Sequence, residues 1–503
     1  MSLGSILSVA RSALSHQQLV IQTAGHNIAN AETEGFTRQR VDGQAAYPQR
    51  FPYGSVGTGV AVDDIRRQRD VLLDVSYRSE ASGYGAASLR QELLSGVEGI
   101  LGEPSDDGLA AAMDAFWSGW SELANAPTSA AARSVVQQRA RNVTSLFNTY
   151  DARLTATRDQ TRLRLENSLV ELNALTDEIA RLNGRIVSAE VGGQMANDLR
   201  DQRDLAVDKL SKLGDLRALP QPDGAVTIVL GNTTVVDGIH ATPLRIAATE
   251  GATLQLATAA RPYQPLQAIG GSTQAMVDFL NVELSDVQEK LDALANGFAR
   301  AVNAIHQRGN DGTPAAPYDA FFVDKTTDGF APGGDPHDRP LPANTVTART
   351  IGLFSAIDAD ASRIATTSSR TARPADNDIA LALAGLRTAS RVTVGGVDLG
   401  PIAYTLVDRS TNPPGRVTQS GTSLADFYRA TTSALATNVK DAESAATVRR
   451  TLTEQADQRR QAISGVNIDE ELTTLMRAQQ AYAAAAKVIT VADEMMQSLV
   501  NMI

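Results

Sequence analysis

The sequence predicts a multidomain, mainly α-helical chain with β-rich domains inserted into it. Its terminal helices are expected to form an axial coiled-coil stalk, with the inner domains nested and discontinuous. Three observations carry this reading. First, Leu3, Leu7, Ala10, Leu14, Gln17, Ile21, Ala24 and Ile28 recur at alternating steps of four and three. Leu472, Leu475, Gln479, Tyr482, Ala486, Ile489, Asp493, Met496, Val500 and Ile503 do the same at the other end. The alternation averages about 3.5 residues, which lays each set along one stripe of a helix suited to coiled-coil packing. Second, the stretch between the ends changes texture in the order helix, β, helix, β, helix. Third, 43% of the chain is apolar but only 5% aromatic, and alanine, which loses no side-chain entropy on entering a helix, is abundant.

After the first helix, Gly25–Val41 (GHNIANAETEGFTRQRV) reads as a helix end and a turn around Gly35. Extended segments follow to about Val62, punctuated by Pro48, Pro52 and the glycines from Gly54 to Gly59. From Asp63 to Leu213 the pattern is mainly helical. Leu109, Met113, Phe116, Trp120 and Leu123 form one apolar stripe, and Leu165, Leu169, Leu172, Leu175, Ile179, Leu182 and Ile186 form another. Pro104 and Pro127 mark breaks. Short β-branched runs such as Ala225–Leu230 and Thr233–Val236 fill 217–271. Helical periodicity returns over Ser272–His306 through Phe279, Leu284, Val287, Leu291, Leu294, Phe298 and Val302. Proline, glycine and aspartate dominate Gly309–Pro342, as in a long loop. Strand-like pieces then run to Ser420 around a compact helix at Asp376–Leu386, and a helical tract covers Ser423–Ile503 with a pause at Ser464–Gly465. The implied division is 1–30 with 468–503 as the axial domain. A helical domain comprises 31–216 with 272–308 and 421–467, and 217–271 with 309–420 form the β-rich inserted part.

Composition narrows the function classes. A formal charge of −11 argues against a nucleic-acid partner, whose backbone needs many unpaired cations. The absence of cysteine excludes disulfides, thiolate metal sites and cysteine nucleophiles. It fits a reducing cytoplasm, and equally a chain that leaves the cell unfolded. No run of 18 apolar residues exists to span a membrane. Ser12, Ser15, His16, Gln17 and Gln18 interrupt any signal-peptide core, so export is expected to use no cleaved signal.

Candidate chemistry is sparse. Asn467 with Glu470 suggests a capping box at the start of the last helix, where Asp469 and Glu471 also suit the positive end of the dipole. Asp198, Asp201, Asp204 and Asp208 alternate with Arg200, Arg203 and Lys209, which reads as a solvated, ion-paired helix face. His16, His26, His240, His306 and His337 have no metal-ligand spacing. The glycines from Gly54 to Gly59 lack the Gly-Lys-Ser/Thr ending of a phosphate loop and read as a turn. No nucleophile elbow or triad order is present, so the chain is expected to be no enzyme and to hold no cofactor or metal. Trp120 falls on the apolar stripe and is assigned to the core; Trp117 is open between core and interaction surface. The terminal stripes carry polar Gln17, Gln479 and Asp493, which a private hairpin would rarely keep. The candidate interface is therefore intermolecular, built from Leu3, Leu7, Leu14, Ile21, Ile28, Leu472, Leu475, Tyr482, Ile489, Met496 and Val500.

These motifs carry a resemblance. Gly25–Val41 resembles the motif after the first helix of bacterial flagellar axial proteins. The HNIAN core is the shared part, and Gly35-Phe36-Thr37-Arg38-Gln39-Arg40-Val41 is more specific. With Asn197–Leu213 (NDLRDQRDLAVDKLSKL), Asp376–Arg387 (DNDIALALAGLR) and Ser464–Ile489 (SGVNIDEELTTLMRAQQAYAAAAKVI), the chain resembles the hook-associated protein 1 family. It departs from the family at Ala31–Thr37, where an Asn-Thr-Pro-Gly-Tyr-Ser-like turn is usual, and the Ala483–Ala486 run is small-featured. The resemblance implies a non-enzymatic, extracellular subunit of a ring at the hook–filament junction, exported unfolded by the flagellar type III route. Implied partners are the chain itself, the hook protein, a second junction protein toward the filament, and a cytoplasmic export chaperone on the C-terminal helix, with no nucleic acid or membrane. Another axial protein of hook or distal rod, and an exported hydrolase, are the alternative readings. Isolated terminal helices cannot bury their stripes, so residues 3–28 and 468–503 are expected to be largely disordered in the monomer and to fold only against neighbours.

Overall fold

The computed structural model describes residues 3–51, 54–247, 254–266, 268–310, 320–326, 346–369, 376–408 and 415–501. The chain is mostly helical, with several small antiparallel sheets. It divides into two compact units, one from Met1–Ser88, Leu165–Ala275 and Ala445–Ile503, the other from Leu89–Arg164 and Met276–Ser444.

In the first unit, α1 (Leu3–Ala29) packs along α11 (Ile468–Val500). The last turn of α1 meets the first turn of α11, so the two run antiparallel. Both are regular helices, against the expectation of disorder in the monomer. The reason is a set of small residues, described below, that lets each helix cover part of the other. β1 (Gln39–Ala45) pairs with β4 (Val60–Arg67), with a bulge at Asp42/Gly43, and β2 (Gln49–Phe51) pairs with β3 (Gly54–Val56). Gly54–Val56 is thus a strand, followed by loop to Gly59. The β1–β4 ribbon lies along α1, where the Ser12 hydroxyl accepts the Val60 N–H at 3.3 Å.

Two sheets follow α5 (Asn197–Leu213). β5 (Leu216–Pro220), β6 (Val226–Leu230), β7 (Thr233–Asp237) and β8 (His240–Ala241) form a meander. β9 (Leu244–Ile246), β10 (Leu256–Thr258) and β11 (Arg261–Pro265) form a second. Two asparagines of α4 (Ala130–Glu190) fasten them. Asn183 donates to the carbonyls of Val226 and Gly238 at 2.8 and 2.7 Å and accepts the Val226 N–H. Asn173 exchanges both bonds with Leu244. Buried backbone groups need such partners. This clamp is why 217–271 belongs with the first unit, whereas the strands of 309–420 fall in the second. The sequence-based division had grouped the two stretches together.

The second unit concentrates the scarce aromatics. Phe116, Trp117 and Trp120 on α3 (Leu109–Asn125), Phe147 on α4, Phe298 on α7 (Leu284–His306), and Phe321 and Phe322 are all buried together. The Phe116 ring lies 5.5 Å from Phe298 and 5.8 Å from Phe322, edge-on or tilted as aromatic quadrupoles prefer. Both tryptophans therefore belong to the core. A π-turn at Phe279–Glu283 joins α6 (Gly271–Asp278) to α7. Asn303 accepts from the N–H groups of Phe321 and Phe322 and donates to the Phe322 carbonyl, holding β12 (Phe322–Asp324) against α7. β13 (Ile351–Leu353) pairs with β12, and the short α8 (Ser355–Ala359) follows. The expected helix near Asp376 is α9 (Asp378–Gly385), which packs on α3 and α7. Its Asn377 donates to the Ala124 carbonyl at 2.6 Å. Two hairpins, β14 (Arg391–Val394) with β15 (Val397–Pro401) and β16 (Ala403–Asp408) with β17 (Gly415–Ser420), lead into α10 (Leu424–Ser464). There Tyr404 stacks on Phe427 with centroids 3.9 Å apart. Most of the long loop expected at 309–342 lies outside the described residues, as does His337.

Candidate assembly surface and the polar joint at its base

The face that α11 gives to α1 is not the apolar stripe read from the sequence. Its buried residues are Glu471, Ala478, Ala485 and Ala492, one per heptad. The stripe through Leu472, Leu475, Tyr482, Ile489, Met496 and Val500 sits one to two heptad positions to one side, or about 50–100° round the helix. Of these, Leu475 and Ile489 are half-buried, whereas Leu472, Tyr482, Met496 and Val500 are 45%, 40%, 41% and 72% exposed. On α1 only Ala10 and Ala24 of the repeat are fully buried; Leu7, Leu14, Ile21 and Ile28 are half-covered, and the Leu3 side chain lies outside the described ones. Alanine allows close approach of two backbones, so the small residues take the seam and the bulky ones are left outside it. Among the described residues the chain thus leaves a row of partly exposed apolar side chains along α11.

Beneath this pair lies a buried polar joint in which three of the four motifs meet. Asn27, of the HNIAN segment, is 1% exposed. It donates to the Gln39 carbonyl (2.8 Å) and to Glu471 Oε2 (3.0 Å), and accepts the Gln39 N–H. Arg38 Nε donates to Glu471 Oε1 at 2.7 Å and Arg38 Nη1 to Glu470 Oε2 at 2.9 Å. Asn467 caps α11 as expected, accepting from the N–H groups of Asp469 and Glu470. The reciprocal arm of the capping box is not made, because Glu470 turns to Arg38 instead. Gly35 has φ +80°, and a Cβ there would stand 3.0 Å from Leu205 Cβ, so this turn admits glycine as α5 closes on it.

The aspartate ladder of α5 is the largest correction to the sequence reading. Asp198 is exposed, but Asp201 and Asp204 are 5% and 9% exposed, and their partners come from other elements. Arg67 Nη1, at the end of β4, donates to Asp201 Oδ1 (2.7 Å) and Asp204 Oδ2 (2.8 Å). Arg69 reaches Asp204 at 3.0 Å and Asp74 at 2.6 Å. Arg78, on α2 (Val71–Leu101), and Arg460, on α10, share Asp208. Arg460 also lies 3.8 Å over the Tyr77 ring. Asp201 Oδ2 accepts the Thr37 N–H at 3.0 Å, bringing the motif turn into the same network. Burial pushes the Asp204 carboxyl up, but Arg69, Arg67, Arg78 and Arg203 overcome that and hold it at about 2. For Asp201 burial dominates and its pKa is raised despite Arg67. Burial also lowers Arg203 to about 10.

The comparisons with known proteins agree with these positions. Residues 94–322 match the family described as the flagellar hook-associated protein FlgK helical domain. Residues 7–37 match the flagella basal body rod protein family, and residues 458–502 the flagellar basal body rod FlgEFG protein C-terminal family. Flagellar hook-associated protein 1 of Bacillus subtilis is 30% identical over 98% of this chain and 97% of its own. The chain belongs to the flagellar hook-associated protein 1 family. Its counterparts in Salmonella typhimurium and Escherichia coli are 25% and 24% identical, over 99% of this chain and all of theirs. Among solved structures, the flagellar hook junction protein FlgK of Burkholderia pseudomallei aligns with a TM-score of 0.59 at 16% identity. The alignment covers 78% of this chain and all of that one, a likeness of fold. Within this hook-associated family chain, the two rod-type matches cover α1 and α11 with their flanking turns, the elements that meet at Asn27, Arg38 and Glu471.

Proposed function

We propose that this chain is a structural subunit of the bacterial flagellum that joins hook to filament, assembling through its terminal helices. The observation that carries the reading is the division of labour on α11. Alanines meet α1 inside the chain, while Leu472, Tyr482, Met496 and Val500 stay uncovered on a helix long enough to lie along a neighbour. Membership of the family supports the location, and the rod-type matches at both ends support an axial role for 1–30 with 468–503. Neighbours in this reading are further copies of the chain in a ring, the hook protein on one side and a second junction protein on the other. Before export a cytoplasmic chaperone covers α11, and export uses no cleaved signal peptide. The chain works by packing and performs no catalysis.

The test is Tyr482→Asp with Met496→Asp. Both side chains are on the outer stripe, so the circular dichroism and monomer melting curve should match the parent, while incorporation into flagella in a strain lacking the native subunit should fall to background. Normal filaments from the double variant would refute the assembly role of this stripe. Loss of the folded monomer would instead mean that the stripe stabilises the chain itself.

A further inference from the structure

Far along the chain from these helices, the second unit contains a cleft of about 420 Å³. Glu103, Pro104, Met113 and Trp117 line it on the α3 side, and Tyr428 and Ala436 of α10 on the other. Most of this wall is apolar or aromatic, and the polar groups in it are unevenly satisfied. Glu103 Oε1 accepts the Ala110 N–H and the Tyr428 hydroxyl, both at 3.1 Å, and so caps α3 and ties down α10. The second carboxylate oxygen has no hydrogen-bond partner among the described residues, and Glu103 makes no ion pair there. The charged neighbours are already engaged: Asp114 with Arg387 at 3.1 Å, and Arg429 with Asp426 at 2.7 Å. Trp117 is 3% exposed, and its indole N–H donates to nothing among the described residues. Its ring nevertheless forms part of the cleft wall. Burial and the Glu103 charge both raise the Tyr428 pKa, so its phenol stays a donor to Glu103.

We propose that this cleft is a binding site for an organic cation, an alkylammonium or guanidinium group on an apolar stem. Its charge meets the free oxygen of Glu103 and its stem lies against Met113, Trp117 and Ala436. A carboxylate half withdrawn from water without a cationic partner favours a ligand that supplies one. Aromatic walls add cation–π and apolar contact, and the volume accommodates a short stem. An anion would face Glu103 across the same space and is disfavoured on that ground. The cation has two possible sources, a free amine or a Lys or Arg side chain on a second copy of this chain.

The chain carries its own reporter, because Trp117 and Trp120 are its only tryptophans and Trp120 lies away from the cleft. Titration of the full chain with n-pentylammonium should give a saturable change in tryptophan fluorescence. The neutral twin 1-pentanol should bind at least tenfold more weakly. Glu103→Gln keeps an acceptor for Ala110 and Tyr428 but removes the charge, and it should weaken pentylammonium at least tenfold while the chain stays folded. Should that variant fail to fold, Ala436→Phe, which fills the cleft from an exposed position on α10, serves instead and should abolish the change. Pentylammonium-reversible self-association in sedimentation would identify a neighbour's side chain as the source, and a monomer throughout would identify a free amine. Absence of a saturable response at millimolar pentylammonium, an equal response to pentanol, or unchanged binding by both variants would overturn the proposal.

Discussion

Asp204 is the residue on which the first unit leans most heavily. It is nearly sealed from water, and Arg67 and Arg69 lie 2.8 and 3.0 Å from the same oxygen. Removing one partner of such a network leaves buried cations uncompensated, which costs more than the network's net worth. Asp204→Asn should therefore lower the stability of the first unit by about 3 kcal/mol, read as the urea midpoint of a probe in that unit. The acid behaviour follows from the same contacts. A carboxyl held at about 2 when folded, below its unfolded value, stabilises above the unfolded pKa. That contribution is lost progressively as pH falls from about 4 to about 2. Asp292, in the second unit, has the opposite sign. Burial pushes it up to about 6, with Asp151 and Glu289 adding to the effect, although the Ala348 N–H it accepts at 2.8 Å pulls the other way. A raised folded pKa means that stability declines as pH rises from about 4 to about 6. Asp292→Asn keeps an acceptor for Ala348 and should gain about 2 kcal/mol at pH 7.5, the size of a two-unit shift discounted for partial exposure. The gain should vanish near pH 4, and a pH series of melting curves on parent and variant checks both ends.

At the scale of elements, periodicity and identity of contact come apart. The 3.5-residue repeat in both terminal segments was legible because apolar spacing fixes which residues share a helix face. Which face meets α1 was not legible, because that choice rests on alanine. Ala478, Ala485 and Ala492 carry little hydrophobic signal, and only the closeness of two backbones marks them as a seam. The aspartate ladder failed for a related reason. Spacing along α5 shows its own arginines, while the partners that count, Arg67, Arg69, Arg78 and Arg460, arrive from β4, the β4–α2 turn, α2 and α10. The cap at Asn467 was readable since it is local; the diversion of Glu470 to Arg38 was not, since Arg38 is more than four hundred positions away. The seam makes its own prediction. Leucine at Ala478 and Ala485 overpacks a close contact, at a cost of about 1–3 kcal/mol per site. Amide exchange along α1 should speed up in Ala478→Leu/Ala485→Leu and stay at the parent rate in Tyr482→Asp/Met496→Asp. Equal protection in both would mean that α1 is held by something other than the alanine seam.

For the whole molecule, the pattern of what could be read has a physical basis. Three motifs far apart in the sequence, at 25–41, 197–213 and 464–489, are dense in polar residues because they converge on one buried joint whose every group needs a partner. The fourth, at 376–387, serves a different purpose, holding α9 to the end of α3 through Asn377. The grouping of strands into domains was not readable, because it depends on Asn173 and Asn183 of α4 rather than on the strands themselves. The joint also separates two functions that a truncation can pull apart. Arg67, Arg69, Asp201, Asp204, Asp208 and Arg460 all lie between residues 31 and 467, so the ionic network needs nothing from α1 or α11. Arg38 and Gln39 do, because Asn27 and Glu471 are their partners. A chain reduced to 31–467 should therefore stay folded. Its first unit should lose about 1–2 kcal/mol from the missing charge-assisted bonds, a fall of a few degrees in melting temperature for a unit of this size, while the second unit melts as in the parent. The truncated chain should not enter flagella, and it should not inhibit the parent chain when co-expressed, since it lacks the stripe proposed to join the copies. Collapse of the first unit in 31–467 would show that the terminal helices are part of its core; dominant inhibition of assembly would show that contacts outside those helices also join the subunits.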